Sequence, residues 1–481
     1  MKYRIAQHID NNKIFIVNSS EIKGRLDAHF NKPKYTNLWK LLSNIPYKLT
    51  TLRENSISIF SGITPKSGGD AYVLNDGIPF VRSGDFSEIN EIDFSKLLQI
   101  RKEIHEKVMR NSQLRVGDVL IAIVGATIGK IGVYNYDAEA NINQAICAVR
   151  LNGQLNPYFV QAFFQTNIGQ EVLNRIKQPV ARANINLEEV GALPIPLLDP
   201  EKQKEVVELM DCSRQYKKKK LKEFQQLING VDDLLLNKLS IISKSKKKVN
   251  NKVFLIKRST LDGRIDPLFY YADIQKYTKC TYSERLANLA FSFTNGFAVG
   301  RQDQVEAENG ILQIRPTNID NNGRLKYDKN VYVPEMLDIP FVESGVVLFN
   351  NTNSQEWVGK TTYFANEENM RVYTSNHITA IDVDRSKILP EYLCAILNMY
   401  QRHKVFYSIC TNWNNQSGIG LDLLKSLHIP LFTNDRKESL RRQQEIVDRI
   451  NIIYQEADEC ISSANRIMEE AKAKVESMII G

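Results

Sequence analysis

The chain has 481 residues, 43% hydrophobic and 25% charged. That is ordinary globular composition and too much chain for one compact core, so roughly two to four domains are expected. No apolar run approaches the roughly 18 residues of a membrane span, and Met1 to Ile16 lacks the continuous apolar core of an export signal, so a soluble cytoplasmic protein is expected. The net charge of +8 is compatible with a nucleic-acid partner without requiring one. Cys147, Cys212, Cys280, Cys394, Cys410 and Cys460 form no CxxC pair and the histidines are dispersed. Neither a zinc site nor a disulfide framework is suggested, and buried free thiols are expected.

In chain order, the first recognisable element occurs twice. IFIVNSSEIKGRLDAHF (Ile14–Phe30) aligns without a gap on VFLIKRSTLDGRIDPLF (Val253–Phe269), with Phe15, Ser20, Gly24, Arg25, Asp27 and Phe30 identical. Such a repeat fixes architecture before any motif is weighed. Gly24-Arg25 and Asp27 recur as Gly263-Arg264 and Asp266, and residues kept in both copies are assigned a structural role, an Arg–Asp pair or a partner interface. Gly62 then matches Gly296, and LRVGDVLIAIVGATIGKIGVY from Leu114 matches VESGVVLFNNTNSQEWVGKTTYF from Val342. Aliphatic runs punctuated by glycine predict short strands and tight turns, hence a mixed α/β (α+β) domain in each copy. Asn376-His377 stands for Asn143-Gln144. Asn156-Pro157-Tyr158-Phe159 and Leu389-Pro390-Glu391-Tyr392 read as helix starts with proline in the first turn. Ile185-Asn186-Leu187 to Leu193-Pro194-Ile195-Pro196 lies opposite Ile419-Gly420-Leu421 to Leu427-His428-Ile429-Pro430.

Each copy is followed by a long helix. In the first, Leu221, Phe224, Ile228, Val231, Leu235, Leu239 and Ile242 recur at spacings of three or four. In the second, Ile446, Ile450, Ile453, Ala457, Cys460, Ala464, Ile467, Ala471, Val475 and Met478 do the same. Both are coiled-coil seams, expected to pair with each other as a rod of roughly 60 Å that spaces the two copies, with packing helices of a single assembly or a coiled coil between two chains as the alternatives. The predicted layout is domain 1–199, helix 200–243, linker 244–252, domain 253–435 and helix 436–481. Gly230 allows a bend in the first helix. The basic run Arg214 to Lys222 reads as a solvated face, a phosphate contact or a docking surface.

Catalytic signatures are lacking. There is no glycine-rich cofactor loop and no Asn/Asp-Pro-Pro-aromatic motif. Gly359-Lys360-Thr361 mimics a phosphate-binding loop, but Ser354 stands where its first glycine belongs and the repeat partner is Gly129-Lys130-Ile131. Asp199-Pro200-Glu201-Lys202 has a nuclease-like order that a helix start explains better, and no Ser-His-Asp or Cys-His constellation can be drawn. Binding is favoured over catalysis.

The repeated blocks together resemble the specificity subunits of type I restriction-modification enzymes. In the first copy the matching stretches are Gly62-Ile63-Thr64-Pro65, Gly117-Asp118-Val119-Leu120, Ile128-Gly129-Lys130-Ile131-Gly132, Asn143-Gln144, Asn184-Ile185-Asn186-Leu187, Leu193-Pro194-Ile195-Pro196 and Glu201-Lys202-Gln203. The second copy diverges, with Val346 in place of Asp118 and Gln443-Gln444-Glu445 at the helix opening. The resemblance implies two target-recognition domains joined by an antiparallel coiled coil. It implies a non-catalytic chain that reads a bipartite double-stranded DNA target, with two methyltransferase subunits and, for cleavage, ATP-dependent restriction subunits. S-adenosylmethionine, ATP and magnesium would belong to those partners, and no cofactor or metal to this chain.

Base readout calls for guanidinium and amide groups on loops. The candidates are Lys66, Arg82, Arg182 and Asn184 in the first copy and Arg301, Gln302 and Arg315 in the second, with Asn412, Asn414, Asn415 and Gln416 in an amide-rich loop around Trp413. Three alternatives stay open: a nuclease, a protein-binding scaffold, and the specificity subunit of another methyltransferase-based phage-defence system.

Overall fold

The computed structural model describes residues 10, 13–18, 22, 25–66, 70–87, 89–177, 184–241, 255, 257–258, 282–414 and 416–481. Contacts divide the chain into two units, Met1–Lys222 with Cys460–Gly481, and Glu223–Glu459.

Unit one opens with α1 (Pro33–Ser43), β1 (Leu49–Thr51), β2 (Ser56–Ser61), β3 (Tyr72–Val73), β4 (Ile78–Val81) and β5 (Leu98–Ile100). There follow β6 (Val119–Ala122), β7 (Ile131–Val133), β8 (Asn141–Ile142), β9 (Ile146–Leu151), α2 (Pro157–Gln165), α3 (Asn167–Ile176), α4 (Leu187–Gly191) and β10 (Pro194–Pro196). Its central sheet has the order β2-β9-β6-β7, all antiparallel, and a second sheet runs β3-β5-β4-β8 with β4 and β8 parallel. The unbroken aliphatic run of β6 has a reason: both faces are covered. Val119 and Ile121 pack with α2 and α3 on one side, while Leu120 and Ala122 pack with Phe86, Tyr134 and Ile142 on the other. Gly117 and Gly129, at the turns into β6 and β7, both hold φ 93°, a left-handed conformation that favours glycine.

Unit two repeats this plan. It contains β11 (Ser283–Arg285), α6 (Leu286–Leu289), β12 (Ala290–Asn295), β13 (Ile311–Ile314), β14 (Tyr332–Val333), β15 (Val346–Asn350), β16 (Thr352–Asn353), β17 (Thr361–Phe364), β18 (Val372–Thr374) and β19 (Ile378–Val383). Then come α7 (Pro390–Arg402), α8 (Val405–Ile409), β20 (Thr411–Trp413), β21 (Gln416–Gly418), α9 (Leu421–Ser426) and β22 (His428–Pro430). The sheet β12-β19-β15-β17 reproduces β2-β9-β6-β7 strand for strand, β13 runs parallel to β18 as β4 does to β8, and β11–β22 repeats β1–β10. Gly345 (φ 90°) and Gly359 (φ 89°) take the places of Gly117 and Gly129. The duplication is therefore one of backbone register and not only of words in the sequence.

The two long helices are α5 (Pro200–Lys238) and α10 (Arg436–Ile480). Within unit one, Val206 and Met210 share a core with Met468, Ala471, Val475 and Ile479, and the Tyr216 and Ser463 hydroxyls lie 2.8 Å apart. Within unit two, Val231, Leu235 and Leu236 pack with Ile446, Val447 and Ile450. Advancing along α5 means retreating along α10, so the pairing is antiparallel and within the chain. The seam differs from the sequence expectation in its second half: Met468 and Ile479 are buried where Ile467 and Met478 were expected. Up to Ala464 the buried positions repeat every seven residues. From Ala457 they run Ala457, Cys460, Ala464, Met468, Ala471, Val475 and Ile479, which repeats every eleven and drifts around a straight helix in the opposite sense to the heptad. On α5 the seam starts earlier than apolar spacing suggested, with Gln203, Val206, Met210 and Ser213 buried, whereas Leu221, Phe224 and Leu239 are half-buried. The helix passes through Gly230 and stops at Lys238, where Ser240 turns left-handed (φ 53°) and the Ile241 N–H bonds back to the Leu236 carbonyl at 2.8 Å. Ile242 lies outside the described residues.

Among the described residues no helix is long and apolar enough to cross a membrane. Cys147, Cys394, Cys410 and Cys460 are buried, Cys212 is exposed against expectation because it sits on the outer face of α5, and Cys280 lies outside the described residues.

Candidate nucleic-acid interface

Most of the shared residues turn out to be framework. Arg25 binds Asp27 (2.7 Å) and Glu189 (2.8 Å), and it donates to the Ile176 carbonyl, so this conserved pair ties the start of the chain to α3 and α4. Its counterpart, Gly263-Arg264 with Asp266, lies outside the described residues. The Asp118 carboxylate, almost fully buried, takes a two-pronged ion pair from Arg150 at 2.9 and 2.7 Å. In the second copy Val346 and Asp382 occupy those two places, so both partners are lost together and no buried charge is stranded. Gln203 at the opening of α5 accepts from the Asn156 N–H (2.7 Å) and donates to the Leu198 carbonyl (2.8 Å), and Gln443 likewise accepts from the Leu389 N–H (2.9 Å). Pro157, Pro390 and Pro200 each stand in the first turn of a helix, as expected.

The lysine of the false phosphate loop is also structural. Lys130 donates to the Phe86 carbonyl (2.9 Å), and Lys360 donates to the equivalent Ile319 carbonyl and to that of Pro316. Burial pushes the Lys360 pKa down. In both copies this lysine pins the segment that carries the candidate arginine. Arg82 and Arg315 each follow the last residue of a strand, β4 or β13, and each cap a short 3-10 turn, Ser83–Asp85 or Pro316–Asn318. The Arg82 side chain is held by Asp85 at 2.9 Å, which raises its pKa. The Arg315 guanidinium rests on Gln313 Oε1 (2.8 and 3.0 Å), and burial lowers its pKa.

Backbone pairing and chain order put the other candidates beside the same end of each sheet. In unit one this end is formed by the carboxyl ends of β2, β4 and β6 and the amino end of β9. Gly62 sits there so tightly that a Cβ would lie 1.6 Å from the Ile142 carbonyl oxygen. Exposed Lys66 follows it, and exposed Asn184 bridges to Val124. In unit two Gly296 makes the same approach, its Cβ falling 2.0 Å from the Thr374 oxygen. Arg301 and Gln302 are exposed on the 3-10 turn that follows. The amide-rich loop is a hairpin, β20 on β21, with Trp413 opposite Gln416 and Asn414 in a left-handed turn position (φ 31°). Asn412, Asn414 and Gln416 are exposed and Trp413 is 46% exposed over Gly418. Arg182 and Asn415 lie outside the described residues.

The sequence reading missed a polar floor beneath this hairpin. Where unit one has Ala122, Ile123, Val124 and Cys147, unit two has Asn350, Asn351, Thr352 and Thr379. Asn351 donates to the Thr379 hydroxyl (2.9 Å), accepts from Thr352 (2.8 Å), and Thr379 donates to Asn295 (2.7 Å). A hollow of about 240 Å³ lies above, lined by Asn295, Asn376 and Trp413 among others. The signal was present as the break in the aliphatic run, VLFNNTNS against VLIAIVGA.

The backbone also corrects one alignment. The Asn143 N–H bonds to the Val81 carbonyl (3.1 Å) and the Ser375 N–H to that of Ile314 (2.9 Å), while Ile123 bonds to the Ala145 carbonyl as Asn351 does to that of His377. Asn143-Gln144 therefore corresponds to Ser375-Asn376, one residue earlier than the sequence match. The basic run is partly absorbed by packing: Arg214 is buried against Asp211 (3.1 Å), and Lys218 pairs with Glu91 (2.8 Å).

No protein-family model matches the chain. It is 33% identical over 135 residues to the Escherichia coli EcoBI type I restriction enzyme specificity subunit, covering 28% of each chain. It is 28% identical over 125 residues to a Methanocaldococcus jannaschii protein described as the MjaX type I specificity subunit, covering 26% of this chain and 27% of that one. The chain thus spans little more than a quarter of the length of either relative. A solved type I restriction-modification S subunit from M. genitalium superposes with TM-score 0.42 at 10% identity, over 91% of this chain and 96% of that one. Over the matched stretches, this chain is a relative of the type I restriction enzyme specificity subunits, the family its repeated blocks resemble.

Proposed function

We propose that this chain reads a bipartite double-stranded DNA target for a type I restriction-modification system. Residues 1–199 and 253–435 act as the two target-recognition domains, each reading one half-site, and the helices of 200–243 and 436–481 act as spacers between them. The observation that supports it is the recurrence, in a relative of specificity subunits, of cationic and amide side chains near one end of both sheets: exposed Lys66 and Asn184 with half-buried Arg82 in one, exposed Arg301, Gln302, Asn412, Asn414 and Gln416 with half-buried Arg315 in the other. Arg182 and Asn415 are proposed for the same role on their sequence neighbours alone. The chain works in the cytoplasm beside two methyltransferase subunits and ATP-dependent restriction subunits. It takes no cofactor itself, S-adenosylmethionine, ATP and magnesium serving the partners.

Sequencing of methylated bases in DNA from cells carrying this chain and its methyltransferase tests the reading directly. The expected result is one split motif, two specified blocks around an unspecified gap. Methylation that ignores sequence, or that is unchanged when this chain is removed, refutes it. Binding of the assembled complex should also weaken steeply with salt, as phosphate contacts by Lys and Arg demand.

A further inference from the structure

Gln144 and Asn376 stand at the same backbone position in the two copies once the one-residue shift is made. Each is the middle residue of a tight turn entering the central sheet, fixed before by the Asn143/Ser375 N–H bond to β4/β13 and after by the Ala145/His377 carbonyl. Both side chains are exposed. Both follow the strand that lies parallel to β4 or β13, the strands whose next residues are Arg82 and Arg315. The neighbouring turn is pressed on each by the glycine that admits no Cβ, Gly62 or Gly296. Thr64 donates to the Gln144 amide oxygen, so that side chain is already aimed.

Most of what the copies share is buried or ion-paired framework. This amide is different: it is exposed and uncharged in both copies. Arg82 and Arg315 apart, the surrounding readers diverge, with an amide hairpin and polar floor in unit two and an aliphatic floor in unit one. A side-chain amide offers a donor and an acceptor side by side, which matches the N7 and N6 of adenine in the major groove. We infer that Gln144 and Asn376 are equivalent specificity-determining residues, each reading an adenine at the same register of its own half-site. This inference rests on the DNA-reading function proposed above.

The test selects bound duplexes from a randomised pool with the full chain in its methyltransferase complex. Asn376→Ala should relax discrimination by about 5- to 150-fold at one adenine in one block, and Gln144→Ala should do so at the corresponding adenine of the other block. Asn376→Gln and Gln144→Asn, which keep the amide, should retain adenine preference. If both alanine variants select the wild-type motif, or if either weakens binding to every sequence alike, the assignment is overturned while DNA reading stands. If the wild-type complex selects no motif, DNA reading itself falls.

Discussion

Replacing Asp232 by asparagine removes the carboxylate through which α5 is fastened to α7. The Arg402 guanidinium approaches it three ways, Nη2 to Oδ1 at 2.5 Å and Nε to the two oxygens at 2.9 and 3.1 Å, and His403 Nε2 stands 3.5 Å away. The two main partners are only 18% and 14% exposed. Burial raises the Asp232 pKa, but the hydrogen bonds from His403 and Arg402 outweigh it and hold the carboxyl below its usual value. Stranding one charge of a buried pair costs ~3–5 kcal/mol; the residual exposure and the acceptor left on asparagine bring the expected loss to about 2–3 kcal/mol. The tryptophans allow a clean assay: Trp39 is in unit one while Trp357 and Trp413 are in unit two, so in a Trp39→Phe background urea unfolding followed by fluorescence reports unit two alone. Because the native pKa is depressed, the pair's contribution is complete above the unfolded value of about 4 and is lost as pH falls through the native one. The gap between wild type and Asp232→Asn should shrink as pH falls below about 4. Asp232→Leu with Arg402→Met, which removes both charges, should recover most of the loss. A loss under about 0.5 kcal/mol, as for an exposed pair, or a gap that persists unchanged in acid, would refute the reasoning.

Three further substitutions probe the framework by the same unfolding measurement. Gly230→Ala meets no atom within 4 Å in a continuous helix, so it should stabilise unit two by up to about 1 kcal/mol; a lower midpoint would show that the glycine serves a bend. Gly296→Ala forces a Cβ onto the Thr374 carbonyl and should cost about 1–3 kcal/mol or more, with binding lost in one half-site only; a neutral result would mean the two turns can part freely. Asp118→Val, read in a Trp357→Phe/Trp413→Phe background, should destabilise unit one by about 3 kcal/mol by stranding Arg150, and adding Arg150→Leu should restore most of it, as the second copy has done with Val346. No recovery in the double variant would place the role of Asp118 elsewhere than in this pair.

The architecture was legible because its determinants are periodic or repeated. Glycines at left-handed turns, prolines in first helical turns and aliphatic runs covered on both faces keep their spacing in both copies, and spacing survives in sequence. What escaped was where polar residues do apolar work. Gln203 and Ser213 are buried at seam positions of α5, so a count of apolar spacings placed the seam's start too late. A seven-residue rule likewise chose Ile467 and Met478, although the buried stripe follows an eleven-residue pattern through Met468 and Ile479, which drifts in the opposite sense to the heptad.

The site was legible in kind but not in grouping. Guanidinium and amide residues on loops were visible, yet that Arg82 and Arg315 are the same residue in two copies became plain only through the lysines. Lys130 and Lys360 reach carbonyls at equivalent places, and so identify the 3-10 turns on either side of a divergent sequence. The same backbone logic moved Asn143-Gln144 by one residue, and that step changes the argument about specificity. Matched with His377, Gln144 looks like a position free to vary with the target. Matched with Asn376, it is an amide kept, like the arginine at Arg82 and Arg315, among readers that have otherwise diverged, and a kept, exposed, chemically equivalent group is what two domains need if their different targets have one base in common.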